Sequence, residues 1–185
     1  SLVGSEMCIR DRPLFEECLE HIVLEETDAG WGIINGHLST VSCDKELDYY
    51  AMVTGLKDYC RKSGFERVLL GLSGGIDSAL VAVIASDALG STNVRSIMLP
   101  SPYTSDTSLI DAAHLAENLG CHSDTLSISE SLNSIEETLS TMFEGHDNDL
   151  TEENIQSRLR GLLLMAVSNK SVSYTHLTLP TILPV

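Results

Sequence analysis

The stretch LLGLSGGIDSALVAV, residues 69–83, decides the fold. It opens as a continuous apolar run, breaks at Ser73-Gly74-Gly75-Ile76-Asp77-Ser78, and resumes with apolar residues at a different spacing. A short apolar run bounded by glycine reads as a buried strand, and the longer segment after it reads as a helix. The joint therefore predicts a strand over 67–72, a tight glycine turn, and a helix from about Asp77 to Leu89 stopped by Gly90.

The same alternation continues outward. Asp44 is placed to cap a helix carrying Tyr49, Val53, Leu56 and Cys60, and Gly64 to stop it. Downstream, a strand is expected over 94–99, ending at Pro100, and a helix over 106–119 with Leu109, Ala112, Ala113, Ala116 and Leu119 on one side. A third strand is expected within 122–128 and a helix over 132–143. Thr151 then caps a long helix reaching Lys170, with Ile155, Leu159, Leu162, Leu163 and Ala166 as its core stripe. Strands alternating with helices imply a Rossmann-like α/β fold, a parallel sheet with helices on both faces. Three strands are few for a complete doubly wound domain, which predicts a sheet truncated on its C-terminal side.

Bulk composition narrows the function. The chain has 185 residues, 43% of them hydrophobic, enough for one domain with a core. Its net charge of −16, from 27 acidic and 11 basic side chains, repels phosphate backbones and argues against nucleic-acid binding. Five cysteines at irregular spacing, with no CxxC pair, argue against a disulfide framework or zinc knuckle and for a reducing cytoplasm. No apolar run reaches membrane-spanning length.

Ligands of open α/β sheets bind at the carboxyl ends of strands, where a helix amino terminus offers free N–H groups and the positive end of its dipole. Gly71–Ser78 fits that place. Gly74 and Gly75 allow an anion close to the backbone, and Ser73 and Ser78 add hydroxyls. The loop lacks the lysine of a Walker loop and the spacing of a dinucleotide fingerprint. Asp77 would repel a bare phosphate, but makes sense if a divalent metal lies between them. Taken singly, each residue also has a purely structural use, in capping or turning. The specific signal is the whole string between strand and helix.

SGGIDS resembles the pyrophosphate-binding loop of the ATP pyrophosphatase superfamily, whose members cleave ATP between the α and β phosphates. The superfamily includes GMP synthetase, tRNA-thiolating enzymes and NAD synthetase. Two further strings, MLPSPYTSD (98–106) and LTEENIQSRLRGLLLMAVSNK (150–170), resemble NAD synthetase of the glutamine-dependent type, and the likeness runs almost continuously over 44–170. It implies ATP held by Gly71, Leu72, Ser73, Gly74, Gly75, Ile76, Asp77 and Ser78, and Mg²⁺ held by Asp77. No catalytic residue beyond that site is implied. It also implies deamido-NAD amidated to NAD through an adenylated intermediate, with ammonia derived from glutamine by a separate amidase domain.

Asn154 and Arg158, four apart on one helix face, are the candidate contacts to deamido-NAD. On the residues alone, Arg158 is better read as pairing with an acid such as Glu153 or facing solvent. The resemblance favours the ligand, and it leaves the roles of Arg158 and Arg160 open. Family likeness further implies a homo-oligomer. The competing readings are another ATP pyrophosphatase, GMP synthetase-like or tRNA-thiolating, and a non-catalytic nucleotide-binding module.

The ends read differently from the middle. Residues 1–12 lack periodicity and 171–185 are rich in Thr, Leu and Pro. Both resemble translated read-through of sequencing adapters, which makes them expected non-native ends, although YTHLTL also has the composition of a short strand. Residues 13–43 read as a linker or the edge of a missing amidase domain, with WGII-NG-HLS as a hairpin turning at Asn35-Gly36. The family's pattern continues after SNK with a further strand and ligand-binding loop. This chain departs there, so the segment alone is expected to be inactive.

Overall fold

The computed structural model describes residues 14–19, 21, 23–28, 30–35, 43–171 and 174–177. The chain divides into two units, residues 1–54 and 55–185. In the first unit, β1 (Val23–Thr27) and β2 (Gly30–Asn35) form an antiparallel hairpin, with Thr27 paired to Gly30 and Val23 to Asn35. WGII pairs with the preceding VLEET, and the expected turn at Asn35-Gly36 reaches beyond the described residues. Residues 36–42, with the HLS segment, lie outside the described residues.

Helix α1 (Asp44–Ser63) runs across the division between the units, and Gly64, with φ of +74°, ends it. The second unit continues with β3 (Arg67–Gly71), α2 (Ile76–Leu89), β4 (Val94–Met98), α3 (Asp106–Leu119), β5 (His122–Thr125), α4 (Ser129–Leu139), α5 (Leu150–Lys170) and β6 (Tyr174–Leu177). The sheet order is β5-β4-β3-β6, and all three pairings are parallel. The fourth strand falls in the segment expected to be a non-native end. Its backbone pairs with β3 from Arg67↔Tyr174 to Leu70↔Leu177.

Alternating residues of β3 explain why both faces need covering. Val68, Leu70 and Leu72 pack with Cys60 of α1, Ala82 and Ala85 of α2, and Ala112 and Ala116 of α3. Leu69 points the other way, into a second core with Ile97, Leu99, Ile128, Leu132, Leu159 and Leu164. Small residues on α2 and α3 let those helices lie close to the sheet. At the sheet edge, β5 is largely exposed, and it is tied to β4 by an Arg95 Nε bond to Asp124 Oδ2 of 2.6 Å.

On α5 the core stripe is rotated from the expected one. Leu159 and Leu164 are buried, with Ile155, Leu163 and Val167 beside them, while Leu162 is 64% exposed and Ala166 is exposed. The helix carries apolar residues on most sides of its second half, so its sequence alone does not select one stripe. Its cap is Asp149, not Thr151. The Asp149 carboxylate accepts the Thr151 N–H at 2.7 Å, and Glu152 accepts the Asp149 N–H at 2.7 Å, a reciprocal capping box. Among the described residues no helix is long and apolar enough to cross a membrane.

Candidate nucleotide site

The strand order reverses direction between β3 and β6, so the crevice expected for ligands lies at the carboxyl end of β3. SGGIDS occupies that position. Leu72 extends the ladder by donating its N–H to the Ile97 carbonyl at 2.9 Å, and the chain then turns sharply at Gly74, with φ of +80°. The turn has no room for a side chain. A Cβ on Gly74 would lie 2.2 Å from the Ser108 carbonyl oxygen, in the first turn of α3.

The two serines staple the loop to itself. The Ser73 N–H donates to Ser78 Oγ at 3.2 Å, the two hydroxyls are 3.0 Å apart, and Ser78 Oγ donates to the Gly75 carbonyl at 2.9 Å. Ser73 Oγ also accepts from the Gly75 N–H at 3.3 Å. Helix α2 then starts after Gly75, which caps it without any side-chain hydrogen bond. The helical ladder begins with Ala79 N–H to the Gly75 carbonyl at 3.1 Å, so the N–H groups of Ile76, Asp77 and Ser78 find no acceptor among the described residues. Three free donors at the positive end of a 14-residue helix form a ready anion site.

Asp77, in the first turn of α2, is exposed. Among the described residues no group of three or more His, Cys, Asp or Glu converges as a metal site. A single carboxylate still suits Mg²⁺, which binds through one or two carboxylates and takes its other oxygens from phosphates and water.

The second loop is built differently. Ser101 is buried; its N–H donates to Thr104 Oγ1 at 2.9 Å, and its carbonyl accepts the Thr104 N–H at 3.0 Å. That turn leads into α3, where Ser105 Oγ accepts the Ser108 N–H at 3.2 Å. Between the two loops lies a cavity of ≈ 320 Å³, bounded by Gly71, Leu72 and Ser73 on one side and Leu99, Pro100 and Thr104 on the other. Its apolar walls suit a base or sugar, and the glycine loop suits an anion. Arg160 closes one end. A second cavity of ≈ 570 Å³ shares Thr104 and Arg160 with the first and extends past Tyr103 and Gln156 to the acidic start of α5.

The structure brings Gly71, Leu72 and Ser73 to the first cavity and sets Gly74–Ser78 beside it. Asn154 and Arg158 line neither cavity. They stand about two residues, hence some 200°, around α5 from Gln156 and Arg160. Gln156 and Arg160 are the site residues that the sequence reading did not select.

A parallel sheet with this loop at its switch point defines an adenine nucleotide α-hydrolase-like α/β domain. The chain belongs to the NAD synthase family, whose model matches residues 49–181. It is 56% identical over 158 residues to the glutamine-dependent NAD(+) synthetase of Rhodobacter capsulatus, covering 85% of this chain and 29% of that protein. To the Thermotoga maritima protein of the same name it is 53% identical over 126 residues, covering 68% and 22%. Among solved structures it is similar to glutamine-dependent NAD+ synthetase from Acinetobacter baumannii in complex with adenosine diphosphate. The TM-score there is 0.70 at 41% identity, covering 76% of this chain and 26% of that one. The chain thus spans less than a third of the length of these relatives.

Proposed function

We propose that residues 44–170 carry the ATP-binding part of a glutamine-dependent NAD synthetase, a cytoplasmic enzyme that amidates deamido-NAD at the expense of ATP. The observation that carries this reading is the open start of α2, with three unpartnered N–H groups at the carboxyl end of the central strand. The ADP complex of the Acinetobacter relative supports an adenine nucleotide as its ligand.

The nicotinate carboxylate of deamido-NAD attacks the α-phosphate of ATP, giving an acyl adenylate and pyrophosphate. Ammonia, released from glutamine by an amidase domain, then attacks the activated carbonyl, and AMP leaves. Gly74 and Gly75 let the β and γ phosphates reach the backbone, and the N–H groups of Ile76, Asp77 and Ser78 hold the charge that gathers on them as pyrophosphate. Ser73 and Ser78 keep the loop in that shape before the ligand arrives. Asp77 would hold Mg²⁺, which spreads the negative charge of the phosphates. Asn154 and Arg158 would meet deamido-NAD from the other side of α5, where a partner subunit of a homo-oligomer can complete the site.

The test is turnover of the full-length enzyme containing this segment, with ATP and ammonia, on deamido-NAD against xanthosine monophosphate. We expect AMP formation with deamido-NAD only, and a loss of at least about 100-fold in Asp77→Asn with the fold unchanged, the size seen when a charge-stabilising group is removed. Turnover of xanthosine monophosphate, or wild-type rates in Asp77→Asn, would contradict the reading.

A further inference from the structure

Among the described residues, Arg160 is the only lysine or arginine lining either cavity. Its Nε–H donates to the Leu99 carbonyl at 3.0 Å, where the chain leaves β4. That bond fixes the plane of the guanidinium and leaves the two Nη groups without a hydrogen-bond or ion-pair partner among the described residues. Burial lowers the Arg160 pKa, yet a guanidinium stays charged throughout the physiological range. A half-buried, braced and unpaired cation facing a cavity is costly unless an anion joins it.

Gln156, one turn earlier on the same face of α5, is nine-tenths buried and lines the second cavity but not the first. The charge layout then sets the ligand's direction. The first cavity has no carboxylate among its lining residues, whereas the second ends at Asp149, Glu152 and Glu153. An anion beside Arg160 therefore lies toward the glycine loop.

We propose that Arg160 contacts the phosphate nearest the nucleoside of the bound adenine nucleotide. This rests on the nucleotide-binding reading given under Proposed function. The α2 amides hold the outer phosphates, the apolar walls take the nucleoside, and Arg160 meets the phosphate between them. The inner phosphate is the one attacked, so a fixed cation there stabilises charge at the reacting centre.

The experiment titrates the full-length enzyme containing this segment and its Arg160→Gln and Arg160→Lys variants with adenosine, AMP and ADP by calorimetry. In Arg160→Gln we expect AMP and ADP affinity to fall about tenfold or more, as for a lost charge-assisted bond, with adenosine within about twofold of wild type. Arg160→Lys keeps a cation, so it should retain a preference for AMP over adenosine, and it decides the matter if Arg160→Gln fails to fold. Equal losses for adenosine and AMP would make Arg160 a structural brace and overturn the proposal. So would a loss confined to ADP, which would put the contact on an outer phosphate. A wild-type full-length enzyme that binds none of the three ligands would overturn the nucleotide-binding reading itself, and this proposal with it.

Discussion

Two helix starts in the second unit solve the same problem in opposite ways. At α5, Asp149 and Glu152 satisfy the end with a reciprocal capping box, and Glu153 adds another negative charge. That terminus is already neutralised and repels anions. At α2, Gly75 supplies no side-chain cap, and the serines of the preceding loop bond to each other and to the loop rather than to the first helical amides. One start is closed by its own carboxylates and the other is open to an anion, which marks α2 as the phosphate site. α3 is closed in the same way as α5, with Ser105 as its cap.

Replacing Gly74 tests the contrast most severely. In Gly74→Ala the left-handed backbone alone costs about 1–3 kcal/mol, and the new Cβ must also displace the α3 backbone, 2.2 Å away at the Ser108 oxygen. Urea denaturation should show a loss of at least about 2 kcal/mol, together with loss of nucleotide binding. Stability equal to wild type would mean that the loop and α3 are not in contact.

The smaller effect is at the closed terminus. Asp149→Ala should lower the thermal midpoint slightly and leave nucleotide affinity unchanged. Hydrogen bonding from Thr151, its side chain ahead of its backbone N–H, holds the Asp149 carboxyl below the usual carboxylate range. A group whose folded pKa is depressed stabilises the fold above its unfolded value, about 4, and loses that contribution as pH falls through the lower folded value. The gap in midpoint between wild type and Asp149→Ala should therefore be full at neutral pH and shrink below pH of about 4. A gap that widened on acidification would contradict the capping role.

The sequence was most legible where local chemistry and period agree. The switch from an apolar run to helical spacing across SGGIDS placed β3 and α2 to within a residue or two, because a buried parallel strand and its glycine turn leave few alternatives. The cap of α5 is also legible in the Asp149…Glu152 spacing, two residues before Thr151. The pairing of β2 with VLEET was less accessible, since the short apolar run WGII carries no mark of which segment it pairs with. The working face of α5 was least legible. Its apolar residues surround the second half of the helix, so which side meets the sheet depends on Leu69, Ile97 and Leu99 across the core. Only when that side is known do Gln156 and Arg160 turn toward the cavities, and Asn154 and Arg158 away from them.

The central claim is that the open start of α2 binds the phosphates of an adenine nucleotide. Amide chemical shifts of the ¹⁵N-labelled chain, followed during titration with ADP and Mg²⁺, test it directly. The account predicts the largest changes at Gly74, Gly75, Ile76, Asp77 and Ser78, with the amides at the start of α5 unmoved. Changes centred on α5, or none at SGGIDS at saturating ADP, would contradict it.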